Sequence, residues 1–283
     1  MRSKELGIRL VTAFLVGPFV VLCFVNYYSL IGLVATVVMF ASFEYINFSL
    51  KELKHPLLRL VYVAIITLTT VLYGLLLDKL NLFGDTKRRP ELLFSLAFIT
   101  IVTLTILAVN DTRKAKLFVV NGSLPLIYIS LCLSFFFPLY IHFGPFIALL
   151  NLLSVWVFDA GAYFSGIRFG KIRISPSYSP KKSLEGAIGG YLFTVFFVWL
   201  YGSVVTLIDP NFHMIGLDEV LLLPMVVAVF GTVGDIAESA LKRFHNLKDS
   251  GSILPGHGGM LDRIDGLLFV TPIFYIFMIL LNN

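Results

Sequence analysis

Charge is scarce in this sequence. Only 14% of its 283 residues are Asp, Glu, Lys or Arg, while 58% are hydrophobic. A soluble domain with a single core has no use for so much apolar surface and would need more polar residues to cover it. Cysteine is nearly missing as well. Cys23 and Cys132 are the only two and both lie in apolar stretches, so no disulfide framework or thiolate metal site is expected. There is also no repeat of fixed period and no low-complexity linker, which makes one membrane domain over residues 1–283 the simplest parse.

What is present is a succession of long apolar runs. A bilayer core about 30 Å thick needs about 20 apolar residues per helix. Stretches of that order recur as Gly7–Tyr27, Ser29–Leu50, Leu60–Leu77, Leu92–Val109, Leu124–Ile141, Pro145–Phe164, Gly186–Ile208, Leu217–Ser239 and Ile264–Leu281. The expected fold is therefore all-α, a polytopic integral membrane protein with about nine transmembrane helices. Segment Leu117–Gly122 is apolar but too short to cross, and either extends the fifth span or lies at the interface. Arg2, Lys4 and Arg9 precede the first run in the manner of a signal peptide, but no small-residue cleavage site follows, so it reads as an uncleaved span. Residues 1–144 hold hydrophobic spans with little chemistry, and residues 145–283 hold the polar motifs.

The basic residues give an orientation. Lys51, Lys54 and Arg59, then Arg113, Lys114 and Lys116, then Arg168 to Lys182, then Lys242 to Arg263 fall in loops on one side, and that side is expected to be cytoplasmic. Lys79, Lys87, Arg88 and Arg89 fall on the opposite side, partly offset by Asp78, Asp85 and Glu91. Nine spans would leave Asn283 external. In a bacterium this means the inner membrane, with the polar motifs facing the cytoplasm.

Ionisable groups inside a bilayer are costly, so each one is a functional candidate. Glu44, Asp159, Asp235 and Glu238 lie within spans. Glu44 has few polar neighbours in sequence and reads first as a structural pairing or snorkelling residue. Asp159 opens Asp-Ala-Gly-Ala-Tyr-Phe-Ser-Gly, whose small residues serve either close helix packing or backbone approach to a ligand. Ser179-Pro-Lys181-Lys182-Ser183 precedes a helix start at Glu185 and Gly186. Taken alone it reads first as a topology determinant and second as a phosphate site.

Further on, Asp235, Ser239, Lys242 and Arg243 are spaced i, i+4, i+7 and i+8, which puts them on one helical face. Lys248-Asp249 and a glycine-rich connector containing His257 then lead to Asp262-Arg263-Ile-Asp265, with the two acids at i, i+3. Acids suit a helix N-terminus, and that alone would account for Asp262 and Asp265. With Asp235 and the cations they also form a set able to hold hydrated Mg²⁺ and a polyphosphate: hard oxygen ligands for the metal, ammonium and guanidinium groups for phosphate.

The run Ser239-Ala-Leu-Lys242-Arg243, four residues, Lys248-Asp249, then Leu254-Pro-Gly-His257-Gly-Gly-Met-Leu-Asp262-Arg263-Ile-Asp265 resembles the signature of the phosphatidate cytidylyltransferases. Asp159–Gly166, Ser179–Gly190 and Gly234–Ser239 are similar to other segments of that family in the same order. The resemblance covers roughly residues 150 to 283. It implies transfer of CMP from CTP to phosphatidate, with CDP-diacylglycerol and pyrophosphate as products and Mg²⁺, with room for a second cation, as cofactor. It implies a metal site at Asp235, Asp262 and Asp265, and phosphate binding by Lys242, Arg243, Lys248 and Arg263. Asp159, Ser179, Lys181, Lys182 and Ser239 would line the substrate pocket, and Asp249 and His257 belong to the signature in roles the sequence does not assign. CTP, phosphatidate and membrane lipids are the expected partners, a homodimer is allowed, and no nucleic acid is expected. A transporter would also place acids at membrane depth, and a CTP-dependent lipid kinase would release CDP instead of pyrophosphate.

Overall fold

A computed structural model describes residues 14, 16–53, 55–83, 91–109, 111–209, 212, 215–253 and 258–282. Six helices are long and apolar enough to cross a membrane, and Leu92–Ala108 is a shorter apolar helix. The chain is an all-α polytopic membrane protein. The expected count of nine is not reached among the described residues. The first expected span begins outside them, with residues 16–22 helical, and the fifth and sixth follow one another within Thr112–Phe169, parted by a break at Gly144. The chain divides into two compact units, Met1–His142 with Leu247–Arg263 and Phe143–Asn246 with Ile264–Asn283.

In the first unit, α1 (Tyr27–Ser49) starts at Asn26, whose side chain accepts from the Tyr28 amide at 2.8 Å. It packs on α2 (Pro56–Phe83), where the Tyr27 hydroxyl donates to the Gly74 carbonyl at 2.9 Å. A Cβ on Gly74 would stand 3.0 Å from Ile31, so a small residue is what lets these helices approach. Next come α3 (Leu92–Ala108) and α4 (Thr112–Pro125), the latter capped by Asp111 through the Arg113 and Lys114 amides. Segment Leu117–Gly122 lies inside α4, so it extends the fifth span. Pro125 has no N–H to continue the ladder, and the chain widens into a π turn over Leu126–Leu131 before the short α5 (Cys132–Ser134).

The helical run α6 (Phe136–Phe169) is broken at Gly144, with φ 83° and ψ 175°, a conformation glycine adopts without strain, and Pro145 follows. The break falls between the fifth and sixth spans read from the sequence. In the second unit a two-stranded antiparallel hairpin, β1 (Arg173–Ser175) and β2 (Ser179–Ser183), leads into α7 (Leu184–Ile208). The hairpin departs from the all-helical reading and forms where the chain turns back between two helices. Ser183 caps α7 by accepting from the Gly186 amide at 3.2 Å, and the Glu185 carboxylate accepts from the Lys171 and Ile172 amides. Then follow α8 (Leu217–Phe244), ended by Asn246 in the left-handed region at φ 57°, and α9 (Leu261–Leu281).

Glycines set the spacing of the second unit. A Cβ on Gly161 would lie 2.7 Å from Phe193, and one on Gly190 would lie 2.7 Å from the Phe158 ring. The small residues after Asp159 therefore serve close packing of α6 on α7. On α8, a Cβ on Gly234 would lie 3.2 Å from the Gly266 Cα, so α8 and α9 meet nearly backbone to backbone.

Candidate active site

These close approaches build a cavity of about 580 Å³ within the second unit. Asp159 contributes from the C-terminal half of α6, Arg173, Lys181 and Lys182 from the hairpin, and Thr232 and Asp235 from α8. Apolar walls from Phe158, Tyr163 and Ile167 complete it. The combination of apolar wall and basic rim suits an amphiphile with a phosphate head.

Lys182 is the central cation. Its Nζ pairs with Asp235 Oδ2, and Asp265, Asp159 and Glu238 also act on it electrostatically. Burial nevertheless pushes its ammonium below the ordinary lysine value, because loss of hydration outweighs the pull of those carboxylates, and Lys242 repels it further. One turn along α8 from Asp235, Glu238 is fully buried and pairs with Lys242 at 2.5 Å. Asp159, Asp235, Glu238 and Asp265 are matched in formal charge by Lys182, Lys242, Lys181 and Arg173, so an incoming polyphosphate would bring negative charge that a further cation could offset.

The donors are hard oxygens, as Mg²⁺ requires. Among the described residues, no three His, Cys, Asp or Glu side chains converge tightly enough to hold a metal ion alone. Mg²⁺ ordinarily takes one or two carboxylates and completes its shell with water and substrate phosphates, so this donor set fits it in that form.

Of the residues expected from sequence, Asp159, Lys181, Lys182 and Asp235 line the cavity, and Asp265 acts on Lys182 from α9. Ser179 begins β2 opposite Ser175. Ser239 is half-buried on α8 and Arg243 is exposed in its last turn; neither lines the cavity. His257 lies outside the described residues. Two participants had no site role assigned in advance. Glu238, a candidate in the sequence only as an ionisable group within a span, pairs with Lys242 at i, i+4, and Arg173, whose guanidinium donates to the Lys181 carbonyl at 3.0 Å, reads in sequence only as a topology charge.

The first unit holds the other part of the signature. Lys248, Asp249 and Arg263 are exposed. Asp262 Oδ2 accepts from the Ser250 amide at 2.9 Å, the Ser250 hydroxyl at 3.0 Å and the Gly259 amide at 3.0 Å. Asp262, expected as a metal ligand, thus holds the connector through Oδ2 whether or not it also meets a cation. Glu44, buried on α1, accepts from the same Ser250 hydroxyl.

Comparison with known proteins bears on the whole chain. The model of the "Cytidylyltransferase family" matches residues 7–281. A phosphatidate cytidylyltransferase of Thermotoga maritima is 48% identical over 273 residues, covering 96% of each chain. That of Bacillus subtilis is 35% identical over 188 residues, 66% of this chain and 67% of its own. That of Haemophilus influenzae is 38% identical over 138 residues, 48% of this chain and 46% of its own. The match extends through the N-terminal spans as well as the polar motifs, and this chain belongs to the cytidylyltransferase family.

Proposed function

We propose that this protein transfers the CMP group of CTP to phosphatidate, giving CDP-diacylglycerol and pyrophosphate. The observation that carries the reading is a half-buried lysine, paired with Asp235 and acted on by Asp265, Asp159 and Glu238, in a cavity with an apolar wall and a basic rim. The activity named for the relatives supports it over a transporter. So does the meeting of Asp159, Arg173, Lys181, Lys182 and Asp235 in one cavity.

The reaction joins two polyanions. A phosphate oxygen of phosphatidate attacks the α-phosphorus of CTP, the new P–O bond forms, and the bond between the α-phosphorus and the bridging oxygen to the β-phosphate breaks, releasing pyrophosphate. The attacking oxygen is already ionised near neutral pH, so no side chain has to remove a proton first. Lys182, Lys181 and Arg173 would hold phosphate oxygens against their mutual repulsion, and Ser179 and Asp159 would line the same pocket. Phosphate binding by Lys242, Arg243, Lys248 and Arg263, and a part for Ser239, Asp249 and His257, belong to the same proposal. Asp235 and Asp265 would hold Mg²⁺, with Asp262 as the third expected ligand. The ion would neutralise charge on the phosphates as the transfer proceeds. The acyl chains would stay in the bilayer, against the apolar wall. Basic loops and bacterial relatives support an inner-membrane location with this chemistry on the cytoplasmic side.

The test is to supply phosphatidate and CTP to the purified protein and identify the nucleotide product. Pyrophosphate with CMP joined to the lipid is the expected outcome. Release of CDP with a phosphoryl group on the lipid would replace this reading with a kinase.

A further inference from the structure

Glu44 is an acid in an apolar helix, with no basic residue three or four positions away to pair with it. It is 5% exposed. Its carboxylate is met instead from the other end of the sequence. Oε1 accepts from the Met260 amide at 2.9 Å, and Oε2 accepts from the Leu261 amide at 3.0 Å and the Ser250 hydroxyl at 2.9 Å. The two amides stand at the start of α9, where backbone N–H groups have no partner within the helix and the helix dipole is positive. Glu44 therefore caps α9 across a separation of 217 residues.

Ser250 connects this cap to Asp262. Its hydroxyl lies 2.9 Å from Glu44 Oε2 and 3.0 Å from Asp262 Oδ2, and its one proton serves one carboxylate at a time. The glycines of the connector fit the same arrangement. A Cβ on Gly251 would stand 2.7 Å from Glu44 Cδ, and one on Gly259 would stand 2.7 Å from the Gly251 amide nitrogen. At these two positions glycine is required by closure around the buried carboxylate, not by flexibility.

We propose that Glu44 is a positioning residue for the reaction: it ties Ser250 to Met260 and Leu261 at the start of α9, and so sets where Asp262 and Arg263 stand. For its effect on turnover the inference rests on the cytidylyltransferase reading. Its effect on the connector does not.

The test compares the full-length wild type with E44Q and E44D in one detergent, by hydrogen exchange over residues 247–263 and by steady-state kinetics. Gln keeps the size but turns an NH₂ group toward amide donors; Asp keeps the charge but is one methylene short. In folded E44Q the connector amides should exchange about ten- to a hundredfold faster, as expected for loss of hydrogen bonds to a charged acceptor. Its kcat should fall by about tenfold or more with a smaller change in the KM for CTP, the pattern of lost alignment. E44D should recover part of both. Unchanged exchange in folded E44Q, or faster exchange with unchanged kcat, would overturn the proposal. Should E44Q fail to fold, S250A removes only the bridging hydroxyl and must show the same two changes in weaker form; wild-type behaviour there would also overturn it. If the wild type transfers no CMP to phosphatidate, the function reading fails by itself, and the exchange data still decide whether Glu44 anchors the connector.

Discussion

Lys182 sits where two effects oppose each other: burial works against its charge, and the surrounding carboxylates work for it. Burial prevails, so in the free protein Lys182 gives up its proton at a lower pH than a lysine of ordinary value 10.5. If its ammonium group holds substrate phosphate, kcat/KM should decline at high pH along a limb set by this group. K182R stays charged throughout, so its limb should shift to higher pH, while K182Q should lower kcat/KM at every pH. A K182R profile with the wild-type alkaline limb would remove Lys182 from this role. Its partners give a second expectation. D235N and D265N keep an oxygen but lose the charge, so each should need a higher Mg²⁺ concentration for half-maximal rate and turn over about a hundredfold or more slowly, as for loss of an ionic metal ligand. Rate measured against Mg²⁺ for each folded variant checks this, and the same titration of D262N shows whether Asp262 does more than hold its loop.

The helices of the second unit are spaced by glycine, and the contacts differ enough to rank substitutions. A Cβ on Gly190 would lie 2.7 Å from the Phe158 ring and 2.8 Å from the Phe158 carbonyl, and the backbone oxygen has nowhere to go. A Cβ on Gly231 would meet nothing closer than 3.7 Å, an ordinary contact. G190A should therefore destabilise by about 1–3 kcal/mol through overpacking, while G231A should be neutral or slightly stabilising through helix propensity. Thermal unfolding in detergent distinguishes the two.

Elements also show why some features were legible in the sequence and others were not. The place of Asp235 on a helix could be read from hydropathy and spacing, although Ser239 and Arg243 of the same expected face stand outside the cavity, and the break at Gly144 could be read because the apolar run stops and restarts around it. The hairpin could not, since its strands are short and polar with no alternation to mark them. Nor could the task of Glu44, because two of its partners are backbone amides, which any residue supplies.

At the scale of the molecule, apolar helices account for most of the chain, and its ionisable groups are concentrated in few places. Scarcity of charge was enough to read the membrane class. The number of spans was harder, because the fifth and sixth are parted only by the kink at Gly144 and the helix leading into the fifth begins at Thr112, ahead of the apolar run that hydropathy marks. For the proposed orientation, a reporter fused within the hairpin segment Ser175–Lys182 should read as cytoplasmic; an external reading would invert the topology. The most direct test of the proposed chemistry is transfer from CTP labelled at its α-phosphate, with purified protein, Mg²⁺ and phosphatidate in detergent micelles. Label should enter the lipid phase in amounts equal to the pyrophosphate released, and be lost when phosphatidate is omitted. Label remaining in the aqueous nucleotides, with the protein folded and both substrates present, would contradict the proposed transfer.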